Sequence, residues 1–292
     1  MKTFNKSLVA SAIFALASTA SAGQVYLDVG TDFVGDTTTP TKVCPTCTSL
    51  KDQLTIKYQS STDFFDTDGS LDLSIGDKIE TDGGLDVGTL PFNNVTSLNP
   101  NQIGPFGFAD NGYNNNWLLS FGFTDLKGEI VGFDGAVPLL GYSSGIIDLY
   151  VSFDFGITNI NFMDLAVDSS ANSGANISLF GTADFTNVDA SFNDLFHYES
   201  GVACAGGSDS FFDVWSSATC SSKDLAIDFV LDQNTDPAKV VVNPAGPYPK
   251  IANITTDHDG SIVFNVPEPS SLALMGLSLL MIGGVIKRKK NV

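Results

Sequence analysis

The chain has 292 residues, enough for one large β domain or two small ones with a sizeable core. Hydrophobic residues make up 43% and charged residues only 16%, with 33 Asp and Glu against 14 Lys and Arg and a formal net charge of -19. Six basic residues sit at the two ends, so residues 23–265 hold eight Lys and no Arg against 32 acids, which excludes a nucleic-acid binder and a protein that docks on anionic lipid.

Lys2 and Lys6 open the chain, the apolar run Leu8–Ala17 follows, and Ala20-Ser21-Ala22 supplies an A-x-A cleavage site. Residues 1–22 therefore read as a signal peptide cut after Ala22. The body, 23–265, is expected to fold outside the cytoplasm, where disulfides form. Its four cysteines, Cys44, Cys47, Cys204 and Cys220, allow three pairings, and proximity favours the two local ones. Cys44-Pro45-Thr46-Cys47 is a CxxC, but no thioredoxin-like frame surrounds it to lower a thiol pKa. A zinc site would need a second close pair, and Cys204 and Cys220 are too far apart for one. Structural disulfides are the expectation.

Apolar and polar residues alternate along the body. Leu54, Ile56 and Tyr58 form one set; Leu71, Leu73 and Ile75 a second. Trp117, Leu119, Phe121 and Phe123 follow, then Ile147 to Phe155. Leu225 to Leu231 and Ile262, Phe264 and Val266 complete the series. Period two marks half-buried strands. Thr67-Asp68-Gly69, Asp82-Gly83-Gly84, Asp134-Gly135 and Asp259-Gly260 read as turns between them. No stretch of the body sustains a helical period. The fold class is therefore all-β, a β-sandwich of jelly-roll type followed by a single C-terminal transmembrane helix. The body reads as one domain, with a split into two sandwiches near residue 110 as the alternative.

Asp66-Thr67-Asp68-Gly69 and Asp257-His258-Asp259-Gly260 share a D-x-D-G pattern. Short carboxylates in Gly-rich turns ligate calcium, which makes Asp66, Asp68, Asp257 and Asp259 weak calcium candidates. Neither segment is an EF-hand, and a hairpin turn in which Asp bonds its own backbone explains both patterns. No other cofactor is expected. Catalysis has thin support: His197 and His258 lack a G-x-S-x-G partner, and no HExxH or P-loop is present. A glycosidase needs only two carboxylates, yet the body has just Glu80, Glu129 and Glu199 beside its many Asp. Among aromatics that could stack on sugars, Trp117 reads as core. Tyr113 is the better loop platform, with Tyr142 and Trp215 as further candidates.

Ser270 to Ile286 is an uncharged apolar run of 17 residues, a minimal membrane span of about 25 Å as a helix. Lys287, Arg288, Lys289 and Lys290 follow it at once and hold the C-terminus inside. Val266-Pro267-Glu268-Pro269 precedes it, and two prolines keep that stretch extended. A Pro-Glu-Pro triplet, an apolar helix and a basic end in this order resemble the PEP-CTERM sorting domain, over residues 266–292. The resemblance implies recognition and cleavage by an exosortase after transient insertion in the inner membrane. It also implies a Gram-negative, exopolysaccharide-making source and a body sent to the cell surface or extracellular matrix.

Less specifically, the body resembles flocculation-associated members of that group. The shared runs are Trp117 to Phe123, Asn161 to Val167 and Cys204-Ala205-Gly206-Gly207. This second resemblance implies a non-enzymatic partner of exopolysaccharide in cell aggregation, floc or biofilm formation. The alternatives are a secreted polysaccharide-acting enzyme and a calcium-dependent carbohydrate-binding module.

Overall fold

The computed structural model describes residues 24–33, 43–87, 95–99, 111–173, 176–199, 201–202, 205–221, 227–235, 241–243 and 249–265. Twelve strands occur among them, in chain order. They are β1 (Val25–Leu27), β2 (Gln53–Phe65), β3 (Lys78–Gly84), β4 (Val95–Asn99), β5 (Leu118–Asp134) and β6 (Val137–Ser152). Then come β7 (Ile160–Ser173), β8 (Asn176–Asp184), β9 (Phe196–Tyr198), β10 (Asp228–Thr235), β11 (Val241–Asn243) and β12 (Lys250–Asn265). Two short helices, Phe211–Ser216 and Ala218–Ser221, interrupt the β pattern.

Eight of the strands close into an antiparallel ring in the order β2-β3-β5-β6-β7-β8-β10-β12, and β12 pairs back onto β2. That closing ladder runs from Lys250↔Phe65 to Ile262↔Leu54. The all-β expectation holds; the jelly-roll expectation does not. A jelly roll needs long crossings between two sheets, whereas neighbours around this ring follow one another in the chain. Strands from both sides of residue 110 share the ring through the β3–β5 ladder, so the body does not divide into two sandwiches there.

Alternation explains the closure. Leu54, Ile56, Tyr58, Ser60, Thr62 and Phe64 of β2 are buried, while Thr55, Lys57, Gln59, Ser61 and Asp63 between them are not. Ile147, Leu149 and Val151 of β6 and Met163, Leu165 and Val167 of β7 are buried alike. A mainly apolar interior and a polar outer wall suit a barrel bathed in water. A membrane barrel carries the reverse pattern. Eight strands give an interior just wide enough for side chains to fill.

The end of the barrel where β12 finishes is covered by a cap. β1 pairs with β9, and Phe196 of β9 and Phe211 of the first helix both pack edge-on against Phe264 at 5.5 and 5.4 Å. Trp117 is fully buried, as expected. Its indole N–H donates to the Asn111 carbonyl at 2.8 Å.

Several expected turns and strands lie elsewhere. Leu71 and Ile75 are exposed in the loop between β2 and β3, so the second alternating set is no strand. Phe153 and Phe155 fall beyond the end of β6. Asp82-Gly83-Gly84 and Asp259-Gly260 lie inside β3 and β12, not in turns. Asp134-Gly135 does turn, with Gly135 at φ 62° between β5 and β6. No helix among the described residues is long and apolar enough to cross a membrane. The expected span, 270–286, lies outside them, as do the signal segment with Ala20 and Ala22, the motif Val266 to Pro269 and the basic tail Lys287 to Lys290.

Candidate functional site

The sorting segment follows the barrel without a linker. Asn265 is the last residue of β12 and pairs with Asp228 of β10. Phe264 beside it is buried in the cap. Residue 266 therefore starts from a fixed point on the barrel end.

The two D-x-D-G segments have different fates. In the β2–β3 loop, Asp66 Oδ1 accepts the backbone N–H groups of Asp68 at 3.1 Å and Gly69 at 2.7 Å, and Oδ2 accepts that of Leu71 at 3.1 Å. Asp77 Oδ1 accepts from Thr67 N at 2.9 Å, and its Oδ2 from Ser74 N at 2.8 Å. Ligand oxygens of Asp66, Asp68 and Asp77 all lie within 4.8 Å of one another. Asp66 and Asp68 were legible as candidates; Asp77 was not, because it comes nine residues later and joins them only once the loop folds. Hydrogen bonds from Ser70 and Ser74 hold the Asp68 carboxyl below its ordinary range. The trio presents hard oxygen ligands of the kind calcium takes, and the same oxygens tie the loop's own backbone.

Asp257 and Asp259 do not form a turn. They flank His258 in the middle of β12, between β2 and β10. Alternation points their side chains outward, where Asp257 accepts from Gln59 Nε2 at 3.1 Å. It points His258 into the barrel. There the ring stacks on Tyr58. Its Nε2 lies 2.7 Å from Ser60 Oγ, and its Nδ1 lies 3.4 Å from Thr235 Oγ1. Burial lowers its pKa to about 4. The surrounding interior is polar: Tyr58 donates to Gln233, Thr62 meets Thr81 at 3.0 Å, and Thr81 meets Tyr142 at 2.9 Å. The Thr256 hydroxyl, also buried, has no partner among the described residues.

The other histidine fastens the cap. His197 Nδ1 lies 3.3 Å from Asp209 Oδ1, and Nε2 lies 2.6 Å from the Asp194 carbonyl. The ring stacks on Tyr26 at 4.9 Å, and the Tyr26 hydroxyl donates to Asp209 at 2.5 Å. This arrangement binds β1, β9 and the segment before the first helix together. Both ring nitrogens are engaged in it.

Periodicity did not reveal a row of carboxylates on the outer wall. Asp148 of β6 pairs with Asp164 of β7, and Asp164 with Asp184 of β8. Asp164 is buried between them. Desolvation, helped by Asp148 and Asp184, raises its pKa to about 6, against the pull of the Asn161 amide. A group that titrates there can hold a proton between two carboxylates.

Cys44 and Cys47 are joined in a disulfide, as proximity favoured. In that form neither sulfur is a thiolate that could ligate a metal. Cys220 is buried and disulfide-bonded; Cys204 lies outside the described residues. Among the aromatic candidates, Tyr113 and Tyr142 are buried and Trp215 is half-buried. Tyr113, expected on a loop surface, is buried and meets the Trp117 ring edge-on at 4.8 Å. Tyr142 lies inside the barrel, and Trp215 packs against Phe185 at 5.7 Å.

No curated protein and no solved structure matches the chain. Residues 265–289 match the PEP-CTERM protein-sorting motif. That match begins at the last residue of β12, so the motif is joined directly to a completed barrel. The chain is thus a protein with a C-terminal PEP-CTERM sorting motif, exported and sorted through processing by exosortase.

Proposed function

We propose that the body is a non-enzymatic surface or matrix protein that acts with exopolysaccharide in cell aggregation, floc or biofilm formation. The observation that carries this reading is the direct junction of a closed barrel to a sorting motif. Cutting beyond Asn265 sends out a whole folded unit. Its interior is enclosed by the ring and lined with buried side chains, so a polymer meets the polar outer wall and the end loops. Hydroxyl, amide and carboxylate groups there suit a hydrated polysaccharide. The test compares cells carrying the wild type with cells carrying a deletion of residues 267–292. Medium, membrane and matrix are fractionated, the protein is followed by mass, and aggregation is scored. Processed body in the matrix, with aggregation lost on deletion or knockout, supports the reading. A freed body with aggregation unchanged sinks it.

The second reading is a calcium-dependent carbohydrate-binding module. It is favoured by Asp66, Asp68 and Asp77, whose ligand oxygens gather in one loop. Calcium at millimolar levels should then raise the melting temperature of the wild type and leave Asp68→Asn unmoved. Equal shifts in both would reduce the effect to general charge relief on an acidic body.

A further inference from the structure

The loop between β6 and β7 presents Phe155, 64% exposed, and Ile157, 86% exposed. Single exposed apolar residues need no explanation, but this loop is built around them. Ser152 Oγ accepts the N–H of Gly156 at 2.8 Å and donates to Asp154 Oδ1 at 2.8 Å. Asp154 Oδ1 in turn accepts the N–H of Thr158 at 2.8 Å. Phe155 is held at φ 57°, a conformation that bulky residues avoid. On its inner side, Phe153 stacks on Phe33 and Phe192, which anchors the loop to the cap.

Antiparallel registers place this loop at the same end of the barrel as Asn265. The β6–β7 ladder finishes at Val151↔Ile160, β8 ends at Asp184 beside β7, and β10 starts at Asp228 beside Asn265. Only four residues, 266–269, separate Asn265 from the uncharged apolar run. Fully extended they reach at most about 14 Å. While that run sits in a bilayer, this end of the barrel is held against the lipid surface.

We propose that Phe155 and Ile157 dip into the interfacial layer of the bilayer that holds the unprocessed tail, and so fix how the barrel stands over the sorting segment. The proposal rests on the reading of 270–286 as a membrane span. Aromatic and aliphatic side chains favour that layer, and the acidic body calls for a zwitterionic surface, not an anionic one. Leu71, Ile75 and Val137 are also exposed, at the far end. Val137 lies about 50 Å from Ser152 along β6, and serves as the control.

The experiment uses the full chain in phosphatidylcholine vesicles with brominated acyl chains. Indole is placed by Ile157→Trp, by Phe155→Trp as a second probe, and by Val137→Trp as the control; Trp117 and Trp215 supply the wild-type background. The near-end probes should be quenched about twofold or more, with a blue shift on vesicle binding, and the control left unquenched. Chain that floats with the vesicles while both near-end probes stay unquenched overturns the loop contact and leaves the anchor standing. Chain that does not float overturns both. Equal quenching at 137 overturns the fixed orientation. Shielding that appears only in membranes containing the protease puts a protein surface there and overturns the lipid contact.

Discussion

Tyr58 and His258 face each other inside the barrel across the β2–β12 ladder, with ring centroids 4.8 Å apart and planes 26° from parallel. The contact joins the first and last strands of the ring. It also buries an imidazole that the interior tolerates only as the neutral form.

An acid-sensitive barrel is the first expectation. Desolvation lowers the His258 pKa from 6.5 to about 4, and Asp257 and Asp259 only partly oppose this. Between those values the unfolded chain binds a proton that the barrel refuses. The contribution is whole above pH 6.5 and is lost as pH falls toward 4, at a cost on the order of 3 kcal/mol. Urea midpoints between pH 4 and pH 8 should fall on the acid side, and His258→Gln should flatten that slope. An unchanged slope in the variant would remove His258 as its cause.

Asp164 has the opposite sign. Its pKa is raised to about 6, chiefly by burial and with help from Asp148 and Asp184. The favourable protonated state is fully present below the unfolded value near 4 and is lost as pH rises through about 6. Asp164→Asn imitates the protonated carboxyl. It should raise stability at pH 8 by roughly 1–2 kcal/mol and change little at pH 4. Thermal melts at the two pH values check this, and a loss of stability at pH 8 would contradict it.

Gly260 is needed for a close approach of backbones. A Cβ there would stand 1.9 Å from the Asp232 carbonyl oxygen on the neighbouring strand. Gly260→Ala should cost roughly 2–3 kcal/mol by forcing β10 and β12 apart. Gly69, in the matching motif, has open space around it. Its cost comes from its positive φ alone, about 1–2 kcal/mol. Denaturant titration of the two alanine variants should rank them in that order.

Asp66 organises the β2–β3 loop through three backbone N–H groups. Asp66→Ala should cost about 1–3 kcal/mol and open the loop to protease between Asp66 and Asp77. Limited proteolysis followed by mass measurement reads the cut positions. Resistance equal to the wild type would show that Asp77 alone holds the loop.

The strands were legible where one face is buried, because Leu54, Ile56 and Tyr58 alternate with polar neighbours. Ring closure was not legible. It depends on β2 meeting β12, whose contacting residues Gln59 and Asp257 are 198 apart in the chain. The Asp-Gly pairs misled for a physical reason. Gly83 sits under the Phe123 ring, where a Cβ would come within 2.2 Å, so its glycine makes room for a neighbour and turns nothing. The row Asp148–Asp164–Asp184 is spread over 36 residues of sequence, and only strand register brings it together. The sorting motif, by contrast, is contiguous, and the stretch read as 266–292 overlaps the matched residues 265–289 almost throughout.

Because β12 closes the ring and also adjoins the tail, export and folding are set in a fixed order. A chain crossing the membrane N-terminus first delivers seven of the ring's eight strands while β2 and β10 still have open edges. Those edges are satisfied within the molecule only after Lys250–Asn265 has emerged. The last strand of the ring to leave the translocon is therefore the one that ends the period of aggregation risk. A chain stalled before Lys250 would offer its two unfilled edges to other stalled copies, as strand-exchanged assemblies and not as barrels.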